Sequence, residues 1–430
     1  MLPFDQDFLS LIVDRSNKFY ALKFKALSRH LEELLKRGYF YSVEQNIFSQ
    51  LNKLKSVELI THGTDFFWLS IHRLYSSLPN ADGSLLKDNI KYFLITAFDA
   101  FYETLDEGSF IRIFNEEDPD IPLVKLDLTI PFTQNNLLTL VKVSDDKIGV
   151  QLQKSDSKQL ITKYDFSLID VPAHHKIQAS KFERYNNLTI LYQKHPCLFE
   201  EEYYSQCNGN PIWGFLLKPK LERAFDTIKQ VDESLFQRIC STVKYAVPLG
   251  NSDDTHLVSF SSAMLKNTIF LSVYMEGSFL IESIIHEFSH CELHYVQDTI
   301  LLTHESSDNK IYYSPWRPDA RPLAALIHGI YVFHAIAEFL EKLLKWEQDS
   351  IVQAEIRNRI ELILNQIIIG IKQVGRDSLT EFSTRLLDKI CESSQNILFS
   401  ERFNLATPPT SINEHKVKWL EENKGLSIKE

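Results

Sequence analysis

The chain is short of cysteine, short of basic charge, and has no long uninterrupted apolar run. Its five cysteines, Cys197, Cys207, Cys240, Cys291 and Cys391, stand singly, and none forms a Cys-x-x-Cys pair. That spacing supports neither a disulfide framework nor a structural zinc ribbon, and a reducing cytoplasm is the expected setting. Lys and Arg number 46 against 57 Asp and Glu, a formal net charge of −11. Such an acidic balance argues against nucleic-acid binding as the main function. No apolar stretch reaches the roughly 18–20 residues needed to cross a bilayer, so no membrane partner is expected. The opening residues lack a basic segment followed by an apolar core, so no secretory signal is expected either. There is no internal repeat and no low-complexity segment. The remaining composition, 44% hydrophobic and 24% charged over 430 residues, is that of a globular protein with room for two or three domains.

Periodicity divides the chain into four parts. Residues 1–107 carry apolar residues at three- and four-residue spacing, as in 19–36, 43–54 and 88–105, and read as a helical scaffold or docking domain. Over 108–215 the pattern changes to short alternating runs at 110–114, 123–128, 138–143 and 148–152, broken by Pro, Asn and Asp: a sheet-rich segment. Residues 216–405 return to helix, with one strand at 268–273 and long helices over 322–346, 351–372 and 380–398. Pro408-Pro409 closes this part and leaves 406–430 as a loosely attached tail. The expected class is α+β, mainly helical, with an edge strand just before the helix at 279–294.

That helix holds the most informative stretch, His286-Glu287-Phe288-Ser289-His290. Two His four residues apart lie about 40° from each other around a helix, one turn apart, so both rings can reach one metal ion. Glu287 projects beside them, where it can hydrogen-bond a metal-bound ligand or take a proton from one. A stable centre needs a third protein ligand. His294 lies about 80° and roughly 12 Å from His286, too far for all three to converge, and reads as a neighbour or capping residue. His328 and Glu338 compete for the third place on the next long helix. They are about 15 Å apart along it, so only one can serve. His328 would give a three-His site and Glu338 a two-His, one-carboxylate site; spacing leaves both open. His334 reads as a core or surface histidine, and His304 as solvated.

A second dense constellation is Tyr312-Tyr-Ser-Pro-Trp-Arg-Pro-Asp-Ala-Arg-Pro322. Three prolines stiffen it, and the planar forks of Arg317 and Arg321 suit a carboxylate. The bland reading is a rigid loop with exposed arginines; the functional one is a preorganised anion site.

Taken together, His286-Glu-Phe-Ser-His290, Tyr313-Ser-Pro-Trp-Arg-Pro-Asp-x-Arg-Pro-Leu323 and Leu326-Ile-His-Gly-Ile-Tyr-Val-Phe333 resemble the HExxH-type peptide β-hydroxylases. These are 2-oxoglutarate-dependent proteins of pathways that modify ribosomally made peptides. The resemblance covers about residues 255–340, including Val258-Ser-Phe-Ser-Ser262, and the N-terminal 215 residues add nothing to it. HExxH alone is weak; Ser-Pro-Trp-Arg-Pro followed by His-Gly is far more specific. The resemblance implies non-haem Fe(II) and 2-oxoglutarate, with His286, His290 and His328 as ligands and Glu287 orienting a ligand or water. Arg321, or else Arg317, would meet the distal carboxylate of 2-oxoglutarate, while Tyr313 and Trp316 shape the pocket. The implied substrate is a precursor peptide, with other maturation enzymes of the pathway as possible partners. A three-His set departs from the facial triad usual in non-haem iron oxygenases, which keeps Glu338 in play. Two rivals stand beside this reading. One is a zinc metallopeptidase with Glu287 as general base; the other is a non-enzymatic binding partner with a structural metal.

Overall fold

The protein was analysed as a computed structural model, which describes residues 6–36, 83–107, 109–115, 120–123, 128–131, 136–145, 147–154, 167–170, 188–190, 211–250, 258–304, 311–403 and 409–428, together with Phe67, Ser70, Ile71 and Leu74. It is a mainly helical α+β protein with small sheets. Helix α1 (Gln6–Lys36) and helix α2 (Gly83–Phe101) come first. The helix expected over 43–54 lies outside the described residues. Phe24, Phe67, Phe93 and Phe101 pack ring on ring and bring α2 against α1.

The sheet-rich segment follows as expected. Strands β1 (Phe110–Asn115), β2 (Asp120–Leu123), β3 (Leu128–Pro131), β4 (Asn136–Ser144), β5 (Lys147–Lys154) and β6 (Ser167–Asp170) form two antiparallel sheets, β1-β4-β5-β6 and β2-β3. The single strand expected over 123–128 is instead the two sides of a hairpin, Leu123 pairing with Leu128. The buried hydroxyl of Tyr102 lies 2.7 and 2.8 Å from the carbonyls of Ser144 and Lys147 and ties the β4–β5 turn to the end of α2.

The third part centres on a sheet of order β7-β8-β10-β9, from β7 (Thr189–Ile190), β8 (Tyr245–Leu249), β9 (Ser259–Ser262) and β10 (Leu265–Ser272). Every residue of β10 is buried, as a strand covered on both faces requires. β8 runs parallel to β10 and β9 antiparallel to it, leaving β9 at the edge of the order. Helices α3 (Pro211–Val231) and α4 (Glu233–Thr242) precede β8; Asp232 caps α4 by accepting from the Leu235 amide at 3.1 Å.

From β10 the chain turns sharply into the motif helix α5 (Gly277–Gln297), and Gly277 takes the left-handed φ of 59° that this turn needs. α5 packs on β10 and β9. A short ribbon of β11 (Ile311–Tyr312) and β12 (Arg321–Pro322) frames the proline-rich loop and leads into α6 (Leu323–Trp346). α6 lies against α5, with α7 (Ser350–Gln373) and α8 (Glu381–Glu401) packed on it in turn. α6 is long and apolar enough to cross a membrane by length and composition, but 72% of its most apolar window is buried inside the protein. The main core runs through these helices and the sheet, and Ile12 of α1 enters it.

Two further expectations fail. The strand before the motif helix is not an edge strand: β10 lies between β8 and β9, and β9 takes the edge. The tail is not loosely attached: α9 (Thr410–Glu422) packs onto the proline-rich loop. Ile412 and Trp419 are buried, Trp419 meets Tyr313 edge-on with ring centroids 5.2 Å apart, and Asn423 donates to the Pro318 carbonyl at 3.0 Å. Two apolar residues seven apart, on one face of a short helix, suffice to dock it.

Candidate metal centre

α5 presents three imidazoles along one stripe, His286, His290 and His294, and α6 brings His328 across to them. Helical spacing of four explains the stripe; the packing of α6 on α5 explains the fourth ring. His290 is central. Its ring centroid lies 4.9 Å from that of His286, 6.1 Å from His294 and 5.4 Å from His328. His294 and His328 are also 5.4 Å apart. His294 therefore belongs to the cluster, although it stands two turns from His286. Helical rise keeps the three α5 rings from converging on one point, but His328 sits beside the second and third.

The closest approach is between Nδ1 of His290 and Nδ1 of His328, 3.1 Å apart. Nε2 of His328 lies 2.8 Å from Oε1 of Gln297, the last residue of α5. Nδ1 of His294 is buried and makes no hydrogen bond. Burial drives all four rings toward the neutral form. It takes His290 down to about 4 and, helped by His290 and Lys266, takes His294 to about 3. His328 is lowered by burial and then by His290 and His294; His286 by burial and then by His290, Arg359 and Arg317. Neutral imidazole is the form that ligates a metal.

One pair of these donors stands at the separation that a shared metal ion requires. Two imidazole nitrogens bound to one ion at about 2.1 Å, with angles between 90° and 109°, lie about 3.0–3.4 Å apart. The His290–His328 separation falls in that range. Among the described residues no three His, Cys, Asp or Glu side chains converge on one cation position as they stand. The His290–His328 pair is in place, and the nearest further imidazoles are those of His286, 4.9 Å from His290 between ring centroids, and His294, 5.4 Å from His328.

Glu287 is fully inside. Its two carboxylate oxygens accept from Ser259 Oγ at 2.7 Å and Ser261 Oγ at 2.9 Å, both on β9. Residues two apart on a strand face the same side, so β9 offers α5 a paired hydroxyl clamp. Burial raises the Glu287 carboxyl to about 7 against the opposing pull of the two hydroxyls. Glu338, the rival third ligand, accepts from Ser393 Oγ at 2.7 Å and lies 3.8 Å from Nε2 of His334, in the α6–α8 contact.

The proline-rich loop is built into the site's wall. The Trp316 ring lies parallel to Phe333 at 4.9 Å, and Phe333 meets His286 edge-on at 5.3 Å. Trp316 Nε1 donates to Gln366 Oε1 at 3.1 Å, and Gln366 returns a bond to the Pro315 carbonyl at 3.2 Å. Tyr313 is buried on the other side of the loop, its hydroxyl 2.9 Å from Nδ1 of His415 on α9. Arg317 and Arg321 both pair with Asp319. Arg321 does so at 2.6 Å and 3.2 Å, the shorter contact lacking hydrogen-bond geometry, while exposed Arg317 stands 3.6 Å away. Arg317 and Arg359 are the arginines whose charge reaches His286. Arg359 on α7 is clasped by Glu282, one turn before His286, through contacts of 2.8–3.3 Å. The sequence contains no signal for Arg359 or Gln297 as site residues, and each is brought in by packing; Ser259 and Ser261 lie within the Val258–Ser262 segment of the resemblance, but only the packing of β9 on α5 gives them a role. Comparison with family models and with curated proteins finds no match to this chain.

Proposed function

We propose that this protein is a non-haem Fe(II), 2-oxoglutarate-dependent oxygenase that hydroxylates the β-carbon of a residue in a ribosomally made precursor peptide. The observation that carries the reading is the His290–His328 contact at 3.1 Å, between neutral imidazoles from the HExxH helix and from the His-Gly segment. Those are two of the three stretches on which the resemblance rests, and the third, the Ser-Pro-Trp-Arg-Pro loop, lies against the same cluster through Phe333. In this reading His286, His290 and His328 hold the iron. When bound, the iron and 2-oxoglutarate would supply the oxygen chemistry: one atom of O₂ goes to the peptide hydroxyl and the other to succinate, with CO₂ released.

The chain's own residues supply position and water exclusion. Phe333 and Trp316 wall the cluster with aromatic surface. Glu287, fixed by Ser259 and Ser261, supports the motif helix against β9 and orients the groups beside His286. Arg317 or Arg321, both in the loop that lies against the cluster, would meet the distal carboxylate of 2-oxoglutarate. Cys240 and Cys391 are free thiols, which suits a cytoplasmic setting.

The zinc metallopeptidase keeps one observation in its favour. Burial raises the Glu287 carboxyl, next to His286 on α5, to about 7, in the range of a general base, although Ser259 and Ser261 hold both of its oxygens. One experiment separates the readings. Protein purified without air is given Fe(II) and titrated with 2-oxoglutarate. A saturable visible charge-transfer band, weakened in Arg317→Ala or in Arg321→Ala, is expected. Tightly held zinc, no such band, and peptide cleavage abolished by Glu287→Gln would establish the peptidase instead.

A further inference from the structure

Gln297 ends α5 two turns beyond His290, and its side chain is exposed. It nevertheless reaches into the histidine cluster, with Oε1 2.8 Å from Nε2 of buried His328. An amide oxygen can only accept, so Nε2 of His328 carries the ring hydrogen and Nδ1 keeps the lone pair. That Nδ1 is the atom 3.1 Å from Nδ1 of His290. The chain of contacts fixes both rings in turn. With His328 an acceptor at Nδ1, the hydrogen in the gap belongs to His290 when no metal is bound, and a cation entering the gap takes its place. The other neutral form of His328 would aim an N–H at His290 and present no donor atom there.

We propose that Gln297 is a positioning residue for the metal centre: it holds His328 in the Nε2–H form and so makes Nδ1 the ligating atom that His328 shares with His290. The proposal rests on the metal-centre reading above. Groups hydrogen-bonded to the distal nitrogen of a ligating histidine commonly change metal affinity by about 10–100-fold. An exposed glutamine at a helix end contributes little to packing, so its removal leaves the fold in place.

The test uses the full chain and two readouts. Nitrogen-15 NMR of the metal-free protein reads the ring form of His328, identified by its loss in His328→Gln. Co(II) titration against a competing chelator gives the affinity. The wild type is expected in the Nε2–H form. Gln297→Leu should mix or reverse it and weaken Co(II) binding about 10–100-fold, while the metal-free protein still unfolds in one cooperative transition. Gln297→Glu, whose carboxylate also only accepts, should restore both. An Nδ1–H wild type, or Co(II) affinity equal in Gln297→Leu, overturns the proposal alone. No Co(II) uptake by the wild type overturns the metal-centre reading and the proposal with it.

Discussion

Gly329 sits one residue after His328, and a Cβ there would lie 2.9 Å from Cε3 and 3.0 Å from Cζ3 of Trp316. Trp316 cannot retreat freely. Phe333 covers one side, Gly370 admits its ring edge on another, and Gln366 fixes its N–H. Helix propensity favours alanine over glycine by about 1 kcal/mol, but overpacking a fixed aromatic costs about 1–3 kcal/mol. Gly329→Ala should therefore destabilise by up to about 2 kcal/mol, read as a lower urea midpoint; a midpoint at or above the wild type would show that the ring yields. His334 gives the opposite case. It is buried and neither ring nitrogen makes a hydrogen bond, while burial, against the pull of Glu338, keeps it neutral. Replacing such a group by an apolar one of similar size is close to neutral. His334→Leu should leave stability at pH 7.5 within about 1 kcal/mol of the wild type and make it less sensitive to acid. A large loss at pH 7.5 would mean that the ring has a role that these contacts do not explain.

At the scale of elements, α9 is what holds the outer side of the proline-rich loop. Trp419 is 1% exposed, and the ring of Tyr313 lies beneath it. Trp419→Ala should cost about 3–5 kcal/mol and speed amide exchange across 313–320, since the loop loses its cover. Unchanged exchange there would mean that Gln366 and Trp316 alone keep the loop in place. The sequence was unevenly informative about such elements. α5 to α8 were legible because each repeats apolar residues every three or four positions over five or more turns. The His286–His290 pair and His328 were legible because helical spacing and a rare residue type coincide. α9 was misread because its docking rests on Ile412 and Trp419 in an otherwise polar helix behind two prolines. Gln297 and Arg359 were not legible as site residues, and Ser259 and Ser261 were legible only as part of a matching segment, since common polar side chains acquire their roles only from the elements packed against them. The 123–128 run was read as one strand because a hairpin and a strand share the same alternation until the turn is seen.

For the whole molecule, the cluster sets the response to acid. His286, His290, His294, His328 and His334 are all lowered from their ordinary 6.5, burial being the first cause in each. They stay neutral in the fold and take up protons on unfolding. Below about pH 6.5 the histidines of the unfolded chain bind more protons than those of the fold, so stability falls as pH drops, offset in part by Glu287, whose raised carboxyl takes up a proton in the fold from about pH 7; the share of His290 levels off below about 4 and that of His294 below about 3. The unfolding temperature of the metal-free protein should fall steadily between pH 7 and pH 5, with Co(II) raising it at pH 7 and losing that effect in acid. A flat profile over that range would show the rings to be already charged or open to water. A different kind of consequence follows from α1. Ser16 bonds Asp298 at the end of α5, across 282 residues of sequence, and Asp298 also pairs with buried Lys266 at 2.6 Å. At about 5–20 residues per second, a ribosome needs roughly 15–60 s to make the chain between them. Through that interval the Ile12–Ser16 face of α1 waits without its dock. An element made early is thus completed late, and the nascent chain must keep that apolar face from other partners until the motif helix has emerged.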